Sequence, residues 1–96
     1  MENSGNPVTI KAYYKSGQVS TEFVYQNGDY HGKRNIYYPN GKVQFTVNYV
    51  NGNQDGEEKE YFPNGQVNYE KTYKNDRLHG AHKKYNEAGK LLMVEN

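Results

Sequence analysis

Histidine and acid recur at one position of this chain. His31, Asp55 and His79 follow one another at intervals of 24 residues. Imidazole and carboxylate in series are the raw material of a metal site. The interval argues against one. If each unit of 24 contributes a hairpin, equivalent residues lie two strands apart, about 9–10 Å, whereas ligands must close to about 2 Å around one ion. These three read as polar turn residues before a glycine, and His79 with His82 makes at most an adventitious pair. The run Glu57, Glu58, Glu60 supplies carboxylates for acid–base work. Yet it alternates sides of an extended segment around Lys59, as a solvated strand surface does. Ser4, Ser16 and Ser20 have no nearby histidine and no glycine elbow. Every glycine is explained by a turn, so no phosphate loop is read. With no cysteine, thiolate chemistry and zinc–thiolate sites are excluded. The sequence contains no catalytic constellation, and no enzyme activity, metal or cofactor is expected.

What remains is tyrosine. The chain has 11 Tyr and 3 Phe while only 33% of its residues are hydrophobic. Tyrosine has an apolar body and a polar tip, which suits half-wet surfaces. A row of tyrosines can stack nucleic-acid bases or cradle a small nucleotide-like or lipid ligand. A net charge of +1 offers little counterion release, so nucleic acid is not the expected partner. No polybasic run or amphipathic helix supports a membrane partner. Tyr and Phe are, however, the residues that protein interfaces place at their centres. The expected partner is another protein, or a second copy joined through the tyrosine face or an edge strand. The candidate contact residues are Tyr13, Tyr37, Tyr61 and Tyr85, with Phe23, Phe45 and Tyr69 and with Tyr25, Tyr49 and Tyr73. No leader peptide or membrane span is readable, and a cytoplasmic location is expected.

These side chains must be positioned by a repeat. YYKSGQV at 13–19, YYPNGKV at 37–43, YFPNGQV at 61–67 and YNEAGKL at 85–91 share one register. Gly17, Gly41, Gly65 and Gly89 mark it. In the second copy Pro39 presets φ, Asn40 takes the next turn position and Gly41 supplies a positive φ; Pro63, Asn64 and Gly65 repeat the arrangement. The loop is three residues long, a type I turn closed by a glycine bulge, pairing Tyr38 with Lys42 and Tyr37 with Val43. Beyond it, Val43, Phe45, Val47 and Tyr49 alternate with Gln44, Thr46 and Asn48, the pattern of a half-buried strand. A second turn follows at 27–32 and 51–56. The sum is an all-β fold, an elongated single-layer antiparallel meander of consecutive hairpins with about eight strands. Units run about 8–31, 32–55, 56–79 and 80–96, the last partial, behind a disordered tail at 1–7. One face is expected to carry the shared tyrosines, the Val/Leu set (Val19, Val43, Val67, Leu91) and the Phe/Tyr set together. Ile10, Tyr14, Val24, Ile36, Tyr38 and Phe62 are expected on the other. A single layer cannot bury both, so the richer face should curl, dimerise or meet a partner.

These residues resemble the MORN-repeat family in its bacterial variant form. The likeness rests on Tyr37-Tyr38-Pro39-Asn40-Gly41-Lys42-Val43, then Tyr49-Val50-Asn51-Gly52 and Gly56, and covers about residues 8–94. It implies a twisted sheet of hairpins. It also implies a place among proteins labelled as antitoxins of toxin–antitoxin pairs, beside relatives discussed as lipid binders or dimerising scaffolds. An antitoxin role would block a toxin or effector protein sterically. The chain departs from the pattern at Asn86, which replaces the second aromatic, and at Asp76, which replaces a glycine.

Overall fold

The computed structural model describes residues 6–96. Eight strands form the main path: β1 (Val8–Tyr13), β2 (Val19–Gln26), β4 (Gly32–Tyr37), β5 (Val43–Val50), β7 (Gly56–Tyr61), β8 (Val67–Lys74), β10 (His82–Tyr85) and β11 (Leu91–Glu95). They pair in chain order, antiparallel throughout. Three two-residue strands lie off that path. They are β3 (Asp29–Tyr30), β6 (Asn53–Gln54) and β9 (Arg77–Leu78), paired with β2, β5 and β8. The meander is the expected one, but these three short strands add to the expected eight. The expected tail lies mostly outside the described residues; Asn6 and Pro7 are exposed ahead of β1.

Two kinds of turn alternate. The YYPNGKV turn is built as its residues dictate. Tyr38 N–H donates to the Lys42 carbonyl at 2.8 Å and Gly41 N–H to the Tyr38 carbonyl at 2.9 Å. Gly41 sits at φ 89°, in the left-handed region that a side chain resists. The Asn40 carboxamide oxygen accepts the Lys42 N–H at 2.9 Å, an Asx turn that fixes the loop. The second turn is tighter. Asn27 and Gly28 both have positive φ, as do Asn51 and Gly52, the type I′ geometry that suits a two-residue hairpin. Asn75 and Asp76 adopt it without a glycine. Asp76 is held there: its carboxylate accepts the Gln54 N–H at 2.7 Å.

Each tight hairpin is interrupted once. Pairing runs from Tyr25↔Tyr30 to Glu22↔Asn35, so β2 advances three residues while the returning chain advances five. The same offset separates Tyr49↔Gln54 from Thr46↔Lys59, and Tyr73↔Leu78 from Glu70↔Lys83. The two extra residues include Gly32, Gly56 or Gly80, all at positive φ. An even number of added residues leaves the faces unchanged.

The other irregularity does not. Tyr37 pairs with Val43, but Ile36 pairs with Phe45, and Gln44 is the odd residue out. The shift recurs at Ala12/Tyr13, Glu60/Tyr61 and Lys84/Tyr85. One added residue reverses the alternation across it. Cross-strand partners share a face, so Ile36 lies with Phe45, and Tyr37 lies opposite both. The expected common face therefore splits. Tyr13, Tyr37, Tyr61 and Tyr85 share the ladder face with the Val/Leu set, and Val24 joins them. The Phe/Tyr set lies on the opposite, aromatic face, where Ile10 and Ile36 accompany it.

The sheet is one layer. Its extents are 48 × 36 × 12 Å. Val47, 3% exposed, is the one buried hydrophobic residue among those described. Every other apolar residue described is at least partly wet.

Candidate functional site

The ladder face is tied down by its own hydroxyls. Tyr37 donates to Glu22 across the boundary between units, and the Asn35 amide donates to the same carboxylate at 3.3 Å. One unit-pair further along the array, Tyr85 donates to Glu70 at 2.8 Å. The carboxylate beside it holds each phenol neutral. The Tyr37 hydroxyl is pushed from 10.0 to about 12, chiefly by the Glu22 bond and then by burial. Tyr85 is raised for the same first reason, with Glu70 in the place of Glu22. Between them, Tyr61 meets Thr46 at the equivalent position, and its hydroxyl makes no hydrogen bond within the described residues. A shallow cleft of about 270 Å³ opens there between Lys33, Lys59 and Tyr61. Lys59 is shared by Glu57 at 3.6 Å and Glu70 at 3.9 Å.

The second aromatic of each turn joins neighbouring units. Tyr14 donates to the Tyr37 carbonyl and Tyr38 to the Tyr61 carbonyl, the latter at 2.6 Å. Burial, with Glu60 nearby, raises Tyr38. Phe62 carries no hydroxyl for the same task. Asn64 takes it over from the turn, its amide donating to the Glu87 carbonyl at 2.9 Å.

The aromatic face is organised differently. Tyr25 and Tyr30 are cross-strand partners and stack at 5.1 Å between centroids, 6° from parallel. Tyr49 continues the row, 5.0 Å from Tyr30. Phe23 meets Tyr25 and Tyr30 edge-on at 5.4 and 5.6 Å. Tyr30 was absent from the sequence candidates, because the strand that aims it is two residues long. Against this cluster lies Arg34, its guanidinium carbon 5.8 Å from the Phe23 centroid and 5.9 Å from that of Tyr30. Tyr25 is raised, first by its hydrogen bond with Tyr30. From β1 to β5 the register places Arg34 as the one charged residue on this face, among Ile10, Phe23, Tyr25, Ile36, Phe45 and Tyr49.

Over the third and fourth units the same face turns polar. Glu58 accepts from Gln54 at 2.6 Å and from Tyr69 at 2.7 Å. Burial, then Glu58, pushes the Tyr69 hydroxyl up. Lys71 lies 5.1 Å over the Tyr69 ring. His82 meets Tyr69 edge-on and sits 3.8 Å from Glu95. The His31, Asp55, His79 series makes turn contacts: His31 Nδ1 accepts the Asn51 N–H at 3.4 Å, and the Asp55 carbonyl accepts the Asn48 amide at 2.8 Å.

A one-layer stack of hairpins with a clamped tyrosine ladder on one side and an aromatic cluster on the other is a β-repeat array, a fold that displays surface. The MORN repeat variant model matches residues 30–51, 54–75 and 78–96, more than half of the chain. The chain belongs to the MORN repeat variant family. Repeats of this family are generally non-enzymatic modules that bind proteins or membranes. The first unit precedes the matched segments, yet its turn at Gly17 and its bulge follow the same geometry. No curated protein and no solved structure gave a significant match. No helix among the described residues is long and apolar enough to cross a membrane.

Proposed function

We propose that this protein is a non-enzymatic protein-interaction module that docks a partner protein on the aromatic face of its first two units. One observation carries the reading. Phe23, Tyr25, Tyr30 and Tyr49 form a packed cluster on a sheet with no second layer, so their outer surfaces stay available to a partner. Clustered aromatics at the centre of a contact surface supply most of the binding energy at typical interfaces. The ladder face is the weaker candidate, because Glu22 and Glu70 already engage the hydroxyls of Tyr37 and Tyr85.

Within that class we read it as a steric blocker of its partner, of the antitoxin or immunity type. Family resemblance supports this finer reading, and so does the absence of any helix among the described residues that would read DNA. Affinity capture from the native lysate, followed by co-expression with the captured protein, tests both levels. Capture that survives Tyr25→Ser and Tyr49→Ser in folded protein would remove the aromatic face from the account. A captured protein whose activity is unchanged by the complex would remove the blocking role.

A further inference from the structure

Arg34 is a half-buried cation set among apolar and aromatic neighbours with no counter-charge among the described residues. Arg34, Glu58 and His82 occupy the same position in three successive units, 24 residues apart. Two of the three are provided for. Glu58 accepts from Gln54 and Tyr69, and His82 lies beside Glu95. Arg34 has neither hydrogen bond nor ion pair among the described residues. Its Nε is buried without a partner, the one such side-chain atom described. Directly across the strand is Val47, the most buried residue of the sheet. The rings of Phe23 and Tyr30 lie beside the guanidinium, 5.8 and 5.9 Å from its carbon. They compensate the charge only in part. The two terminal nitrogens are not among the buried unpartnered atoms, which leaves the outer N–H donors of the planar fork open to a partner.

A planar cation in an apolar, aromatic surround selects one kind of occupant. An isolated anion would lose its hydration without filling the aromatic surface. An apolar surface would bury the guanidinium unpaired, which is costly. A carboxylate carried between apolar side chains satisfies both demands, through paired N–H···O bonds to the fork and contact with the rings. We propose that the aromatic face recognises its protein partner through an Asp or Glu side chain flanked by apolar residues, with Arg34 as the specificity-determining residue. The proposal rests on the protein-docking reading above and names what that surface selects.

The test uses the isolated full chain and a displayed random-peptide library. Peptides are selected on the wild-type protein, and the bound sequences are measured against Arg34→Gln, Arg34→Lys and Arg77→Gln, with folding checked by circular dichroism. The chain has two arginines, so the Arg34 side-chain Nε–H signal is assigned in nitrogen-15 spectra by its loss in Arg34→Lys. The expected result is enrichment of an acid at one position between apolar residues. Binding should fall at least tenfold in Arg34→Gln and stay within twofold in Arg77→Gln, and the Arg34 Nε–H signal should shift on addition of peptide. Replacing the peptide acid by its amide should abolish that shift. Peptides without a common acid, equal binding to Arg34→Gln, no enrichment at all, or the same shift from free acetate would each overturn the proposal. Lysate capture does not depend on this selection, so an empty selection with intact capture would sink the acid preference and leave the docking reading standing.

Discussion

Tyr37 and Tyr61 occupy the same place in the repeat and differ in what stands across from them. Tyr37 meets Glu22; Tyr61 meets Thr46, which lies between Glu22 and Glu70 in the 24-residue series. Thr46→Glu should complete the row, since Lys59 is already the cross-strand neighbour on that face. A gain of about 0.5–1 kcal/mol is expected in urea unfolding, the worth of one hydrogen bond to a charged group that is partly exposed. A loss would mean that the ladder geometry does not repeat at the third unit. Alkali tests the same clamp. Tyr37 has its folded pKa raised from 10.0 to about 12 because a phenolate there would face Glu22. The folded state therefore holds the proton more tightly. That contribution is fully present below pH 10 and drains away as pH climbs from 10 to about 12. Thermal melts between pH 9 and 12 should show a steeper decline for wild type than for Tyr37→Phe; parallel declines would deny the clamp.

The turns and bulges decide what the sequence discloses at the scale of elements. Pro39-Asn40-Gly41 announces its turn, because each residue is suited to its own backbone position. Gly41→Val should cost on the order of 1–3 kcal/mol, read as a lower melting temperature. The space is not the obstacle: an added Cβ would meet nothing nearer than Gln18 at 3.8 Å. The strain is in φ. The alternation of Val43, Phe45, Val47 and Tyr49 is equally plain in the sequence, and so is the Tyr37–Val43 pair. The step joining them is not. Gln44 has no residue type that marks a bulge, and reading the alternation straight through it places Tyr37 on the wrong side of the sheet. The short strands β3, β6 and β9 escape for a related reason, since two residues are too few to show a period. Turn chemistry is local and leaves a local signature, whereas a bulge is settled by pairing with the neighbouring strand. Tyr30 was hidden with β3, the two-residue strand that carries it, although the tyrosine content had already pointed to a contact surface.

At the scale of the molecule, a sheet 12 Å thick has no interior to share among its units. Each unit is supported by its neighbours alone, as in any linear array. The inner strands have partners on both sides. β1 and β11 have one partner each, and every residue of both is exposed. Hydrogen exchange should therefore grade along the array, slowest in β4, β5 and β7 around Val47 and fastest in β1 and β11. Uniform protection would show a cooperativity that this geometry does not supply.

Partner capture separates the roles of the two faces. The native lysate is passed over immobilised wild type, over the aromatic-face double variant Tyr25→Ser/Tyr49→Ser, and over the ladder variant Tyr37→Phe, all shown to be folded. A specific protein partner is expected to be retained by wild type and by Tyr37→Phe and lost by the double variant. Retention by the double variant, with loss by Tyr37→Phe, would place the partner on the ladder face and not on the aromatic one.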